Sequence, residues 1–119
     1  MAFIFHIIEK KDWDEVKAQG GAYSPDSLET DGFIHCAKAD QILDIANHMF
    51  KGRSPEHLII LKINENDVRS TIKSEPPFEF PMAEILYPHI YGPLNLDAVE
   101  KEIDFPANED GSFKLPKIL

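Results

Sequence analysis

The chain has 119 residues, 43% of them hydrophobic and 28% charged, values that suit one globular domain and exclude wholesale disorder or a separate cofactor module. Its 21 acidic against 12 basic residues give a net charge of -9, which disfavours a nucleic-acid partner, because affinity for phosphate backbones comes mainly from lysine and arginine. No apolar run nears the roughly 18 residues of a membrane span, no charged leader opens the chain, and the single Cys36 suits a reducing compartment, so a cytoplasmic location without membrane contact is expected.

Residues 2–8 alternate or run apolar and predict a short buried strand. A helix should open around Lys11, with Asp12 as N-cap and Glu15 completing a capping box. Trp13, Val16 and Ala18 would face inward, and Gly20-Gly21 would stop it. The stretch from Tyr23 to Leu28 is turn-rich and leads to Asp31-Gly32, a turn signal before a strand over 33–37. The clearest helix spans roughly 39–51, where Ile42, Ile45, Ala46, Met49 and Phe50 form one apolar stripe ended by Gly52. Residues 58–63 form a continuous β-branched-rich run, the best candidate for a central strand. Residues 74–81, with three prolines, read as an excursion over the surface. Residues 99–105 alternate as a half-exposed strand, and the tail from Pro106 is weakly structured or packs through Phe113 and Leu115. Together these elements predict a single α+β domain over residues 1–119.

Three histidines carry the chemical interest. His6 interrupts an apolar strand, His35 follows Phe33-Ile34, and His89 stands two residues from Tyr91 between Pro88 and Pro93. Imidazole set among isoleucine and phenylalanine costs free energy unless its nitrogens find partners. For His6 the plain alternative is a core histidine bonded to main chain. His35 shares a strand face with Phe33, and Asp31-Gly32 brings an acid and a pliable backbone to the strand entry. The prolines stiffen the loop carrying His89 and Tyr91, while Gly92 permits a close approach or a positive φ, as a preorganised site would require. Three such histidines in one chain suggest a shared pocket, which Tyr23 and Ser24 could also line.

Cys36 points away from His35, because neighbouring strand residues face opposite ways, and reads as a buried thiol. His48 and His57 sit in polar contexts and read as surface residues. Glu75 and Glu84 flank the proline-rich stretch and read as solvated acids that could supply a carboxylate. Local metal-ligand spacing is absent, so no metal site is assigned, although distant histidines can converge on zinc. Gly20-Gly21 follows no strand and is no phosphate loop.

The segments Asp31-Gly32-Phe33-Ile34-His35-Cys36, Ala39-Asp40-Gln41, and Tyr87-Pro88-His89-Ile90-Tyr91-Gly92-Pro93-Leu94 with Asp97-Ala98-Val99 closely resemble the proteins grouped as domain of unknown function 952. His6 followed by Trp13 fits as well, and the resemblance spans nearly the whole chain. Two departures stand out: Tyr87 where the family usually has Phe, and Ala37 where a Ser usually follows the Cys. The latter removes a possible polar contact near His35. The family has no established activity but is similar at fold level to the ADP-ribosyltransferases, which hold NAD in the cleft of a split sheet.

That resemblance implies a split or mixed sheet with two main helices, and NAD or an ADP-ribosyl or nucleotide-type small molecule as ligand. His6 matches the first-strand position that binds ribose. His6, Tyr23, Ser24, Asp31, Gly32 and Gly92 would then bind the ligand, with Tyr91 or Tyr23 stacked on its base. His89, His35 and Tyr91 would act chemically, imidazole being suited to proton transfer near neutral pH. The resemblance leaves open whether the chain is an enzyme. The rival expectations are a non-catalytic domain binding a small ligand or a partner, and a histidine-ligated metal hydrolase.

Overall fold

The computed structural model describes residues 2–49, 57–77, 82–106, 108 and 110–114. The expectations for the side chains of His48, Met49 and Phe50, for Gly52, for residues 78–81 and for Leu115 fall outside these described residues. In chain order the elements are β1 (Phe3–Glu9), α1 (Lys10–Gln19), β2 (Ala22–Tyr23), α2 (Ser27–Thr30), β3 (Ile34–His35), α3 (Ile42–Met49), β4 (Leu58–Asn64), β5 (Thr71–Glu75), β6 (Tyr87–Tyr91), β7 (Leu94–Asn95) and β8 (Val99–Asp104). Short 3-10 turns fill Glu65–Asp67 and Leu96–Ala98.

The strands form two three-stranded sheets, β1-β4-β8 and β3-β6-β5, and a small pair, β2-β7. Every pairing among the described residues is antiparallel. The α+β class expected from the sequence is thus present, but a sheet of mixed direction is not. A parallel pair needs a crossover returning to the same sheet, whereas α1 and α3 each lead from one sheet to strands of another. No described helix is long and apolar enough to cross a membrane.

The two larger sheets meet along one seam. Phe5 and Ala37 exchange main-chain bonds of 2.8 Å in both directions, so the chain just beyond β3 lies beside β1. Apolar residues explain the layering. On β4, Ile59, Leu61 and Ile63 pack with Ile4, Ile8, Trp13, Tyr23, Ile34 and Ile90. Its alternate residues, Leu58 and Ile60, pack on the other face with Phe5, Ile42, Ala46, Ile103, Phe105 and Phe113. A strand buried on both faces must be apolar throughout, as read for 58–63. Phe113 stacks on Phe105 with ring centroids 4.9 Å apart and brings the tail onto this second core.

Three local expectations need correction. The first helix starts at Lys10, not at an Asp12 cap, and Glu9 precedes it without a side-chain capping bond. The Lys10 N–H donates instead to the His57 carbonyl at 2.8 Å, a tertiary partner that replaces the cap. Trp13 is buried and Val16 packs against the core, but Ala18 is exposed. Second, Ser74 and Glu75 belong to strand β5 rather than to a surface excursion.

Third, the segment around His89 is strand β6 at the centre of its sheet, not a loop. Proline is rare there because it cannot donate to a ladder. The register resolves the conflict. The Pro88 carbonyl accepts from Cys36 N–H at 3.1 Å, so the main-chain groups of Pro88 face β3, and it asks nothing of Ser74, its partner on β5. The bond that proline cannot return falls opposite Cys36, just where β3 ends.

Candidate functional site

Cross-strand register assembles the site. His35 pairs with His89, Lys73 with His89, Thr71 with Tyr91 and Glu75 with Tyr87. Paired residues share a sheet face, so His35, His89, Tyr91, Lys73 and Glu75 lie on one side of β3-β6-β5. Ile34, Cys36, Ile72 and Ile90 take the other side, against the core. Because Cys36 and Pro88 are joined by a ladder bond, the alternation makes His35 and His89 a non-hydrogen-bonded pair, the kind whose side chains approach closest. Their ring centroids are 5.7 Å apart, edge to face.

Each imidazole is backed by a carboxylate. His35 Nε2 lies 2.6 Å from Asp31 Oδ2, and His89 Nδ1 lies 3.0 Å from Glu75 Oε1. The same Glu75 oxygen accepts a short bond from the Tyr91 hydroxyl. Carboxylates only accept, so the neutral rings carry their protons on His35 Nε2 and His89 Nδ1, leaving lone pairs on His35 Nδ1 and His89 Nε2. Phe33 stacks on the His89 ring at 3.8 Å and touches His35 and Tyr91 at 4.8 and 5.3 Å. Lys73 Nζ stands 4.8 Å from the Tyr91 ring centroid, a cation at the rim.

The two imidazoles live in different surroundings. His89 is only 2% exposed, whereas the His35 side chain is 46% exposed. Burial pushes the His89 pKa down, and its bond to Glu75 opposes this in part. Hydrogen bonds from Tyr91 and then His89 hold the Glu75 carboxyl below its usual range. The carboxylate in turn pushes the Tyr91 phenol up to about 12. Among the described residues His89 Nε2 has no hydrogen-bond partner. The one sealed side-chain nitrogen or oxygen lacking a partner there is Trp13 Nε1, so His89 Nε2 keeps contact with solvent.

The remaining candidates divide. Asp31 ends α2, where its N–H and that of Gly32 both reach the Ser27 carbonyl at 2.8 and 3.0 Å. Gly32 has φ +88°, which turns the chain so that Asp31 faces His35. Gly92 closes β6 against Ser70, on the far side from the imidazoles in its contacts. Ser24 is exposed and makes no bond to the cluster among the described residues.

His6 and Tyr23 form a separate pair behind β3. His6 Nδ1 donates to the His35 carbonyl at 2.6 Å, and His6 Nε2 accepts from the Tyr23 hydroxyl at 2.9 Å. Burial lowers the His6 pKa to about 4 and raises that of Tyr23. Tyr23 is itself buried, with its ring edge-on to Trp13 at 6.0 Å, so neither of its faces is offered to a ligand. Both nitrogens of His6 are likewise occupied within the chain, which corrects the expectation of one pocket shared by all three histidines.

A cavity of about 360 Å³ lies on the opposite face of β5, lined by Glu65, Asn66, Val68, Ser70, Ile72 and Ser74. None of the expected site residues borders it. Among the described residues no group of three or more His, Cys, Asp or Glu side chains is arranged to hold a metal ion. Three contributors escaped sequence reasoning. Glu75 read as a solvated acid, Lys73 carried no signal, and Phe33 was noted for its face but not as the ring joining the cluster. With Ile72 the one apolar residue in Thr71-Ile72-Lys73-Ser74-Glu75, no period-two pattern marks the strand that carries the first two.

Residues 7–102 match the model of the family described as "Protein of unknown function (DUF952)", and the chain belongs to that family. It is similar to protein CC0527 from Caulobacter crescentus. The X-ray structure of that protein has 30% identity and a TM-score of 0.77, covering 96% of this chain and 95% of the other. Its solution NMR structure has 28% identity and a TM-score of 0.72, covering 100% of this chain and 97% of the other. No curated protein matches the chain.

Proposed function

We propose that the chain binds a small ligand of the NAD, ADP-ribosyl or nucleotide kind at the His35–His89–Tyr91 face and acts on it as an enzyme, with an ADP-ribosyltransferase-like fold. The observation that carries this reading is Glu75, whose single oxygen receives both His89 Nδ1–H and the Tyr91 hydroxyl. A carboxylate so held fixes the imidazole tautomer, orients the ring and stabilises imidazolium when His89 takes a proton. It also supplies the negative charge that a developing oxocarbenium centre requires. Lys73 at the rim offers a cation for a ligand phosphate. Tyr91, half-buried beside it, is the aromatic surface on which a base can stack.

In this reading Asp31, held by the Gly32 turn, positions His35. His6 and Tyr23 hold the main chain of β3 from behind, so their part in binding is indirect. The test is calorimetric titration of the purified chain with NAD, ADP-ribose and AMP, paired with an assay of nicotinamide release. Micromolar to millimolar binding of at least one is expected, weakened about tenfold or more in Lys73→Ala, the size of one lost charged contact. Turnover should fall about 100-fold or more in His89→Ala and Glu75→Gln, the usual worth of a positioned acid or base. Binding without turnover for any of the three would convert the reading to a ligand-binding domain. Absence of binding by all three would remove the reading.

A further inference from the structure

We infer that the His35–His89 pair is a general acid and general base for displacement at a phosphate ester, so that the substrate of this site is a nucleotide ester whose leaving group departs through oxygen. The inference rests on the ligand reading above and narrows its substrate class.

The argument starts from what one imidazole leaves undone. Nicotinamide leaves NAD as a neutral pyridine and needs no proton, so cleavage of that bond has work for one base at most. Here two imidazoles stand side by side, each with its own carboxylate and each with a ring nitrogen left over. An alkoxide leaving group, by contrast, needs a proton as it departs, while the attacking hydroxyl must lose one. In phosphoryl transfer the attacking and leaving oxygens lie roughly in line on opposite sides of phosphorus. Neighbouring imidazoles on paired strands can serve both ends.

The surroundings divide the roles. His89 is buried under Phe33 and its Nδ1–H is engaged by Glu75, so the neutral ring presents a lone pair at Nε2. His35 is exposed and Asp31 engages its Nε2 at 2.6 Å, so the nitrogen it turns to a ligand is Nδ1, from which the protonated ring donates. His89 Nε2 takes the proton of water or an acceptor hydroxyl as the new P–O bond forms. The ester P–O bond breaks with its electron pair passing to the leaving oxygen, which receives the proton from His35 Nδ1. Exchange of one proton with solvent returns both rings to their starting state. Lys73 on the same face is placed to meet a non-reacting phosphate oxygen.

The experiment compares two esters of thymidine 5′-phosphate, the 4-nitrophenyl and the methyl ester, with wild type, His35→Ala and His89→Ala. 4-Nitrophenolate leaves without protonation and methoxide does not. Both esters should be cleaved by wild type with a bell-shaped pH profile. His89→Ala should lower both rates about 100-fold or more, whereas His35→Ala should do so for the methyl ester and leave the nitrophenyl ester within about threefold. His35 is on the surface, so a folded variant is expected, and Asp31→Asn gives a second handle that should mimic it more weakly. Equal loss on both esters in His35→Ala, or binding of thymidine 5′-phosphate without cleavage of either ester, would overturn the inference while sparing the ligand reading. No binding of thymidine 5′-phosphate would overturn the inference, and no binding of NAD, ADP-ribose or AMP as well would overturn both.

Discussion

The place of His6 requires an uncharged ring. Its Nδ1 proton is given to the His35 carbonyl, and its Nε2 must keep a lone pair for the Tyr23 hydroxyl. A protonated ring would face that hydroxyl with a second N–H and break the arrangement, while burial adds the cost of desolvating the charge. The folded pKa is accordingly about 4 against 6.5 for the free side chain. The sign of the stability effect follows. Below pH 6.5 the unfolded chain takes up a proton that the folded chain refuses until about pH 4, so this contribution is complete above 6.5 and is lost as pH falls through that window. Its full size is on the order of 3 kcal/mol. Urea midpoints between pH 7.5 and 5 should therefore drop in the wild type and change much less in His6→Leu. His89, also lowered by burial, adds in the same direction and remains in the variant. An unchanged slope in His6→Leu would show that the imidazole does not carry the effect.

Strands explain which features the sequence disclosed. Leu58–Asn64 was legible because burial on both faces demands an unbroken apolar run. β5 was hidden because Ile72 is its only apolar side chain, and β6 was hidden by Pro88, which is tolerated only because its missing N–H falls at the end of β3. His35, His89 and Tyr91 stood out as residue types, but their meeting depends on cross-strand register, which no local pattern encodes. The glycines separate along the same line. Gly32 has φ +88° with nothing within 4 Å of an added Cβ, so Gly32→Ala meets only the left-handed backbone penalty of about 1 kcal/mol. Gly92 has φ +150°, and an added Cβ would lie 2.5 Å from Ser70 Oγ. That hydroxyl donates to the Pro93 carbonyl at 2.7 Å, so it cannot move aside without losing a bond. Gly92→Ala should cost about 2–3 kcal/mol, and at least 1 kcal/mol more than Gly32→Ala, in paired denaturation experiments. Equal costs would mean that the end of β6 yields freely.

At the scale of the molecule, one narrow seam decides whether the site is rigid. The β1-β4-β8 sheet carries both cores on its faces, while the catalytic candidates lie on β3-β6-β5. Among the described residues the main-chain connection between them is the Phe5–Ala37 exchange, extended by the imidazole of His6 reaching the His35 carbonyl. The ladder goes no further in that direction, and the His6 side chain takes the carbonyl that a longer ladder would have met with an N–H. A seam of two bonds would be weak alone. However, Ile34, Cys36 and Ile90 from the second sheet are buried in the same cluster as Ile4, Ile59 and Leu61 from the first, so parting the sheets would expose that shared core. Burial of this kind, at roughly 25 cal/mol per Å² of apolar surface, outweighs two hydrogen bonds of about 1 kcal/mol each. Opening at the seam should therefore require unfolding of the whole. Native-state hydrogen exchange measures this directly. The Phe5 and Ala37 amides should open with a free energy within about 1 kcal/mol of the Ile60 amide at the centre of β4. If they exchange through a markedly lower barrier while Ile60 stays protected, the two sheets part independently, and the geometry of His35 against His89 would then vary with that motion.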